Sequence, residues 1–267
     1  MFKKIATVIV AIFAILPLVS TTAQASNGNL GVNSAARQQE LLRNYGMSIQ
    51  HLGVNSLVID SNLTYEQALG DSVVPEANRD LHMRMKPYLR VVPVIYWGFE
   101  STPRVHVGQI VVHRDLVADT NKAFIKMFTL GFPIKSVIPE SQFGYDDQRS
   151  MAADNSSNYR PEPGSEHRKG AAFDLNPFQN PFDITGYDPT HPIEPAGAHY
   201  DPTAKGTIVK EGPVRKYMTS LHYEWGGGWG DPNADPQTDF FAVGYFDYQH
   251  FQLDFTRYNN LPLPSGI

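Results

Sequence analysis

Two segments of the sequence carry side chains able to grip a cation and move a proton. In GSEHRKGAAFDLN, His167 stands just before a glycine turn, and Asp174 follows seven residues later inside an apolar run that reads as a strand. Such a turn can fold the imidazole back toward the carboxylate, so that one nitrogen and one oxygen face a shared point. In FDYQHFQL, His250 follows Asp247 at a spacing of three. Read as a strand, HFQLDF puts His250, Gln252 and Asp254 on one face and Phe251, Leu253 and Phe255 on the other, so His250 can face a cavity while its neighbours pack. Two imidazoles and one carboxylate form a ligand set of catalytic zinc, which keeps its fourth tetrahedral position for water. Bound Zn²⁺ brings the pKa of that water down to about 7. Asp247 is the candidate to accept the proton and pass it to a leaving amine. A histidine and an aspartate seven apart also occur by chance, and the same pair can serve only to stabilise a turn and a strand.

These side chains need elements to hold them. LTYEQALG predicts a short helix capped by Thr64, with Glu66 in its first turn and Gly70 as its stop. Residues 89–99, rich in β-branched and aromatic side chains, read as a strand in which Pro93 implies an edge or a bulge. A second strand and a helix follow. Val117, Thr120, Phe124 and Met127 recur at helical spacing, and Gly131 to Pro133 end the run. Residues 142–159 form a polar, turn-rich stretch too long for a simple connector. Beyond it come the strand AAFDLN, a Pro- and Gly-rich excursion over 177–206, a helix around 214–221, and the strand QHFQLDF. Strands and helices without a regular alternating unit predict the α+β class.

Composition narrows the function further. The 22 Lys+Arg against 27 Asp+Glu leave a net charge of −5, which supplies no basic face and argues against a nucleic-acid partner. The absence of cysteine excludes disulfides, thiolate metal sites and a cysteine nucleophile. The first 25 residues show Lys3 and Lys4, an apolar run over 5–19 and an Ala-Gln-Ala ending, the order of a secretory signal peptide. The run is too short to span a bilayer comfortably, so the mature chain is expected to be exported, periplasmic or extracellular, without stable membrane insertion. Residues 26–62 are polar and Asn-rich, with one helix expected around 35–45, and read as an N-terminal extension; 63–267 read as the catalytic domain.

Residues 145–181 and 222–253 together resemble the D-alanyl-D-alanine carboxypeptidase family of zinc peptidases, which also includes L-alanyl-D-glutamate endopeptidases. The resemblance extends upstream and covers 63–253. Its serine, histidine, glycine, alanine and aspartate pattern stands here as Ser165, His167, Gly170, Ala172 and Asp174. The resemblance implies one catalytic domain with a small antiparallel sheet flanked by helices. It implies that His167, Asp174 and His250 bind Zn²⁺, that Asp247 is the base where many relatives have glutamate, and that Arg160 sits by the substrate. A guanidinium there can pair with a peptide carboxylate or a forming oxyanion. Ser165 is expected to orient the site, Asp154, Asn155 and Ser157 to shape the loop carrying Arg160, and Trp225 and Trp229 to pack or stack beside the cleft. Gln109 receives no catalytic duty. His222 and Glu224 invite a metal reading, but the resemblance places them in the cleft wall.

The leading expectation is therefore an exported zinc peptidase acting on peptidoglycan stem peptides, with D,D-carboxypeptidase cleavage favoured. L-alanyl-D-glutamate cleavage and a noncatalytic zinc-binding cell-wall module are the alternatives. A serine carboxypeptidase is a third, disfavoured because no local motif gives Ser165 a base.

Overall fold

The computed structural model describes residues 57–231 and 243–267. The expected signal peptide, the helix expected around 35–45 and most of the extension lie outside them. The chain enters through β1 (Leu57–Ile59), which pairs in parallel with β3 (Val105–His113); β2 (Leu89–Trp97) pairs antiparallel on the other side of β3. β2 is thus an edge strand, where Pro93 can lack an N–H without breaking an inner ladder. The last residues assigned to the extension are therefore built into a sheet. Pairing continues past the strand: the Asp60 carboxylate accepts from Tyr96, and the Ser61 hydroxyl donates to Gln109.

Between β1 and β2, α1 (Tyr65–Leu69) starts at Thr64, which forms a capping box with Gln67, and stops at Gly70 in the left-handed region. α2 (Arg79–Met85) follows. After β3, α3 (Val117–Leu130) buries Thr120, Ala123, Phe124, Met127 and Phe128 along one stripe and ends at left-handed Gly131. That stripe packs on β2. Burying such a Phe or Met contributes roughly 1.5–3 kcal/mol.

The second sheet holds the chemistry. β6 (Ala172–Asp174) and β8 (Tyr223–Trp225) flank the central β10 (His250–Leu253), all antiparallel. α5 (Pro213–Ser220) packs against β8. One apolar core joins the sheets, with Val94, Tyr96 and Ile110 from the first, Phe173, Tyr223 and Phe251 from the second, and Phe124 between them. Two short ladders complete the frame: β4 (Ser136–Val137) with β5 (Asn155–Ser156), parallel, and β7 (Phe182–Asp183) with β9 (Phe246–Asp247), antiparallel.

The class is α+β as expected, but the sheet structure is richer than one small antiparallel sheet. The first sheet is mixed because residues 57–59 supply a parallel strand. The stretch 142–159 contains α4 (Asp147–Ala152), capped by the Asp146 side chain, and all of β5. The alternation expected through Phe255 stops at Leu253. Asp254 turns to cap α6 (Phe255–Tyr258), which leaves Phe255 77% exposed.

Candidate active site

Ser165 accepts a hydrogen bond from the His167 backbone N–H and so caps the tight turn that carries His167. The turn closes at Gly170, whose left-handed backbone and contact with β3 both call for glycine: a Cβ there would lie 2.6 Å from the His113 nitrogen. Gly170 also accepts from that same N–H. The turn is therefore docked on the end of the first sheet while its histidine points into the second. The Asp174 backbone exchanges two hydrogen bonds with Ser157 and pairs in register with His250 on β10.

Three donor groups meet in this frame. His167 Nε2 lies 3.1 Å from Asp174 Oδ2 and 3.0 Å from His250 Nδ1, and His250 Nδ1 lies 3.1 Å from Asp174 Oδ1. All three residues are buried. Ligand atoms about 2.05 Å from a tetrahedral zinc stand about 3.3 Å apart, so this triangle needs little adjustment to hold one. The far nitrogen of each ring is also engaged: His167 Nδ1 donates to the Asn158 carbonyl at 2.5 Å, and His250 Nε2 meets Gln252 Oε1 at 3.1 Å. Each imidazole thus presents one nitrogen inward with the other fixed, the arrangement a ligating histidine needs. Among the described residues, this is the one His/Asp/Glu group with metal-ligand spacing.

The charges are strongly coupled. Burial and the Arg160 charge push His167 down to about 4, so it is held neutral. Burial disfavours a charge on His250 too, but Asp174 and Asp247 outweigh it and push the ring up to about 9. Asp174 is opposed by burial yet held well below the usual carboxylate range by His167, His250 and Arg160. A cation in the triangle would satisfy these groups together.

Asp247 stands on β9 beside this cluster. Its Oδ1 is sealed from solvent without a hydrogen-bond partner, and burial raises its pKa to about 7. A carboxyl poised near neutrality can take up and release a proton at physiological pH. Gly226 makes room for it, since a Cβ at that position would come 2.6 Å from the Asp247 carbonyl oxygen.

Residues 159–253 match the family model described as D-alanyl-D-alanine carboxypeptidase. Over that stretch, about a third of its length, the chain is similar to this family. No curated protein and no solved structure matches significantly. The peptidase match contains Arg160, His167, Asp174, Asp247 and His250 and is shorter than the resemblance over 63–253: the first sheet and α3 lie outside it.

Arg160 is largely buried and serves three carboxylates. Its Nη1 reaches Asp174 at 3.0 Å and Asp147 at 3.1 Å, and its Nε reaches Glu162 at 2.8 Å. Burial opposes its charge, but Asp147, Asp174 and Glu140 hold the guanidinium protonated. A cavity of about 160 Å³ opens beside it, lined by Asn78, Tyr145, Asp147, Arg160, Pro161 and Glu162. A larger one of about 240 Å³, between α3 and the 204–214 segment, contains none of the site residues.

The other sequence candidates have structural duties in the fold. Asn155 accepts from Ile138 N–H and Ser136 Oγ and donates to Ile138 carbonyl and Ser150 Oγ, so its amide is fully engaged inside the scaffold. Ser157 acts through its backbone on Asp174, and the Asp154 carboxylate accepts from Phe178 N–H. Trp225 donates to the Tyr248 carbonyl and packs in the wall, while the Trp229 ring centre lies 5.3 Å from that of His250. Gln109 ties down Ser61 and Leu63. His222 and Glu224 part company: His222 pairs with Asp254, Glu224 with Gln252.

Four residues around the site received no role from the sequence: Asp147, Glu140, and the partners of the two histidines, Asn158 and Gln252. Only Gln252 carried a signal, because strand alternation places it on the face of His250.

Proposed function

We propose that this chain is an exported zinc peptidase that hydrolyses the peptide stems of peptidoglycan, with a terminal D-alanyl-D-alanine bond as its preferred target. The observation that carries this reading is the convergence of His167 Nε2, Asp174 and His250 Nδ1 beside Asp247, whose Oδ1 is buried without a hydrogen-bond partner. The family match supports the peptidase class and the D-alanyl-D-alanine bond. The leader over residues 1–25 supports export to the compartment where that polymer lies. No helix among the described residues is long and apolar enough to cross a membrane.

A divalent ion held by His167, Asp174 and His250 would supply a Lewis acid and lower the pKa of water. The chain's own groups do the rest. Asp247 accepts the proton of the attacking water on its carboxylate and delivers it to the departing amine, the two duties of one general acid–base group. Arg160 keeps its fork oriented through Nη1 and Nε, and its guanidinium pairs with a substrate carboxylate or with the negative charge that develops on the carbonyl oxygen.

Mass spectrometry of defined stem peptides after incubation with the mature protein and zinc tests the reading. Loss of one terminal alanine, abolished by chelator, is the expected result. Cleavage between L-alanine and D-glutamate would move the target bond within the family. Intact peptides of every stem type would leave a binding module and overturn the peptidase reading.

A further inference from the structure

β10 does more than deliver His250. Gln252 lies two residues on, on the same strand face, and pairs in register with Glu224 of β8. Gln252 Oε1 meets His250 Nε2 at 3.1 Å, and Gln252 Nε2 donates to Glu224 Oε1 at 2.5 Å. We propose that Glu224 and Gln252 form a positioning relay that fixes the tautomer and ring orientation of His250, so that Nδ1 presents its lone pair to the ion.

The argument turns on the two ends of the amide. A primary amide offers an acceptor at one end and donors at the other, and could present either to the imidazole. Glu224 removes that choice, because a carboxylate oxygen accepts only and would be repelled by the amide oxygen. The amide nitrogen must therefore face Glu224 and its oxygen must face His250. An oxygen at that position requires an N–H on Nε2. With the proton on Nε2, the neutral ring leaves Nδ1 free, and Nδ1 is the nitrogen aimed at Asp174 and His167. Nothing comparable is needed at His167, whose Nδ1 donates to the fixed backbone carbonyl of Asn158. A side-chain acceptor can rotate, and the cross-strand carboxylate holds it still. Outer partners of this kind typically govern metal affinity by 10–100-fold.

The inference rests on His250 being a metal ligand, and the experiment separates the two ideas. Zinc affinity is measured by chelator competition in wild type, Gln252→Leu, Glu224→Gln and the exchanged pair Glu224→Gln/Gln252→Glu. Long-range ¹⁵N–¹H spectra of the zinc-loaded proteins report which nitrogen of His250 carries the proton. Gln252→Leu is expected to weaken zinc by about 10–100-fold. The exchanged pair, which restores an oxygen toward His250 and a donor to hold it, should recover to within about threefold of wild type. Glu224→Gln, half-buried and the mildest change, guards against a fold defect and should fall between, with a mixed His250 tautomer. Wild-type protein that binds no zinc would overturn the ligand reading and the relay together. Wild type that binds zinc while Gln252→Leu and Glu224→Gln match it in affinity and tautomer would overturn the relay alone, as would an exchanged pair no better than Gln252→Leu.

Discussion

Glu140 offers the sharpest test of how this site is built, because its consequence is a pH slope that a single isosteric change should erase. The residue is 2% exposed, and neither of its oxygens makes a well-formed hydrogen bond. Burial lifts its pKa from 4.5 to about 8, against the opposing pull of Arg160 and of the Ser150 and Ser157 hydroxyls. Between those two values the folded chain keeps the proton and the unfolded chain has lost it. Stability therefore falls as pH rises, beginning above about 4.5 and levelling off above about 8. A gap of about 3.5 units at about 1.4 kcal/mol each amounts to a loss on the order of 4–5 kcal/mol, most of it between pH 5 and 8. Glu140→Gln keeps the shape and cannot ionise. The variant should match wild type to within about 1 kcal/mol at pH 5 and exceed it by several kcal/mol at pH 8. Urea unfolding of both proteins at pH 5, 6.5 and 8, with metal chelated so that zinc linkage does not enter, measures the difference. All other titrating groups are common to the two proteins and cancel. A difference that stays constant across that range would refute the idea that Glu140 is carried as a neutral acid.

The remaining predictions address the site. Asp247→Asn should retain zinc while kcat falls by about 10²–10⁴-fold, the usual worth of a general acid–base group; full turnover in that variant would remove Asp247 from its role. His167→Ala should bind less than one equivalent of zinc by elemental analysis and lose the rise in melting temperature that zinc gives to wild type. Arg160→Lys keeps the charge but cannot bridge Asp147 and Asp174 while holding Glu162; kcat/KM should drop by about 10–100-fold with zinc content unchanged, measured on the stem peptide that wild type cleaves best.

What the sequence made legible was local chemistry. Thr64 and Gly70 bracket α1 because a side-chain oxygen and a left-handed glycine act within one turn of chain. α3 follows its apolar period, and β6 and β10 follow theirs. The Ser165-to-Gly170 turn is equally local: a cap at one end and a glycine at the other suffice to aim His167. β1 had no such signature. Its three residues become a strand only because Val105 to Val107, far along the chain, offer a free edge. Asp147 and Glu140 were silent for a related reason, since only the fold buries these acids against Arg160.

The triangle itself joins these two kinds of information. His167 is positioned by a local turn, whereas Asp174 and His250 meet through strand register. A slip of one residue between β6 and β10 would turn His250 away from Asp174 and bring Phe251 to its place. That register is enforced by packing, since Phe173, Phe251 and Leu253 fill the core on the opposite face while Gln252 pairs with Glu224. The apolar alternation that builds the second sheet is therefore also what holds Asp174 and His250, two of the three proposed ligands, together. A substitution such as Phe251→Ala, far from any polar contact, should cost about 3–5 kcal/mol of stability and weaken metal binding along with it, because the same packing sustains both.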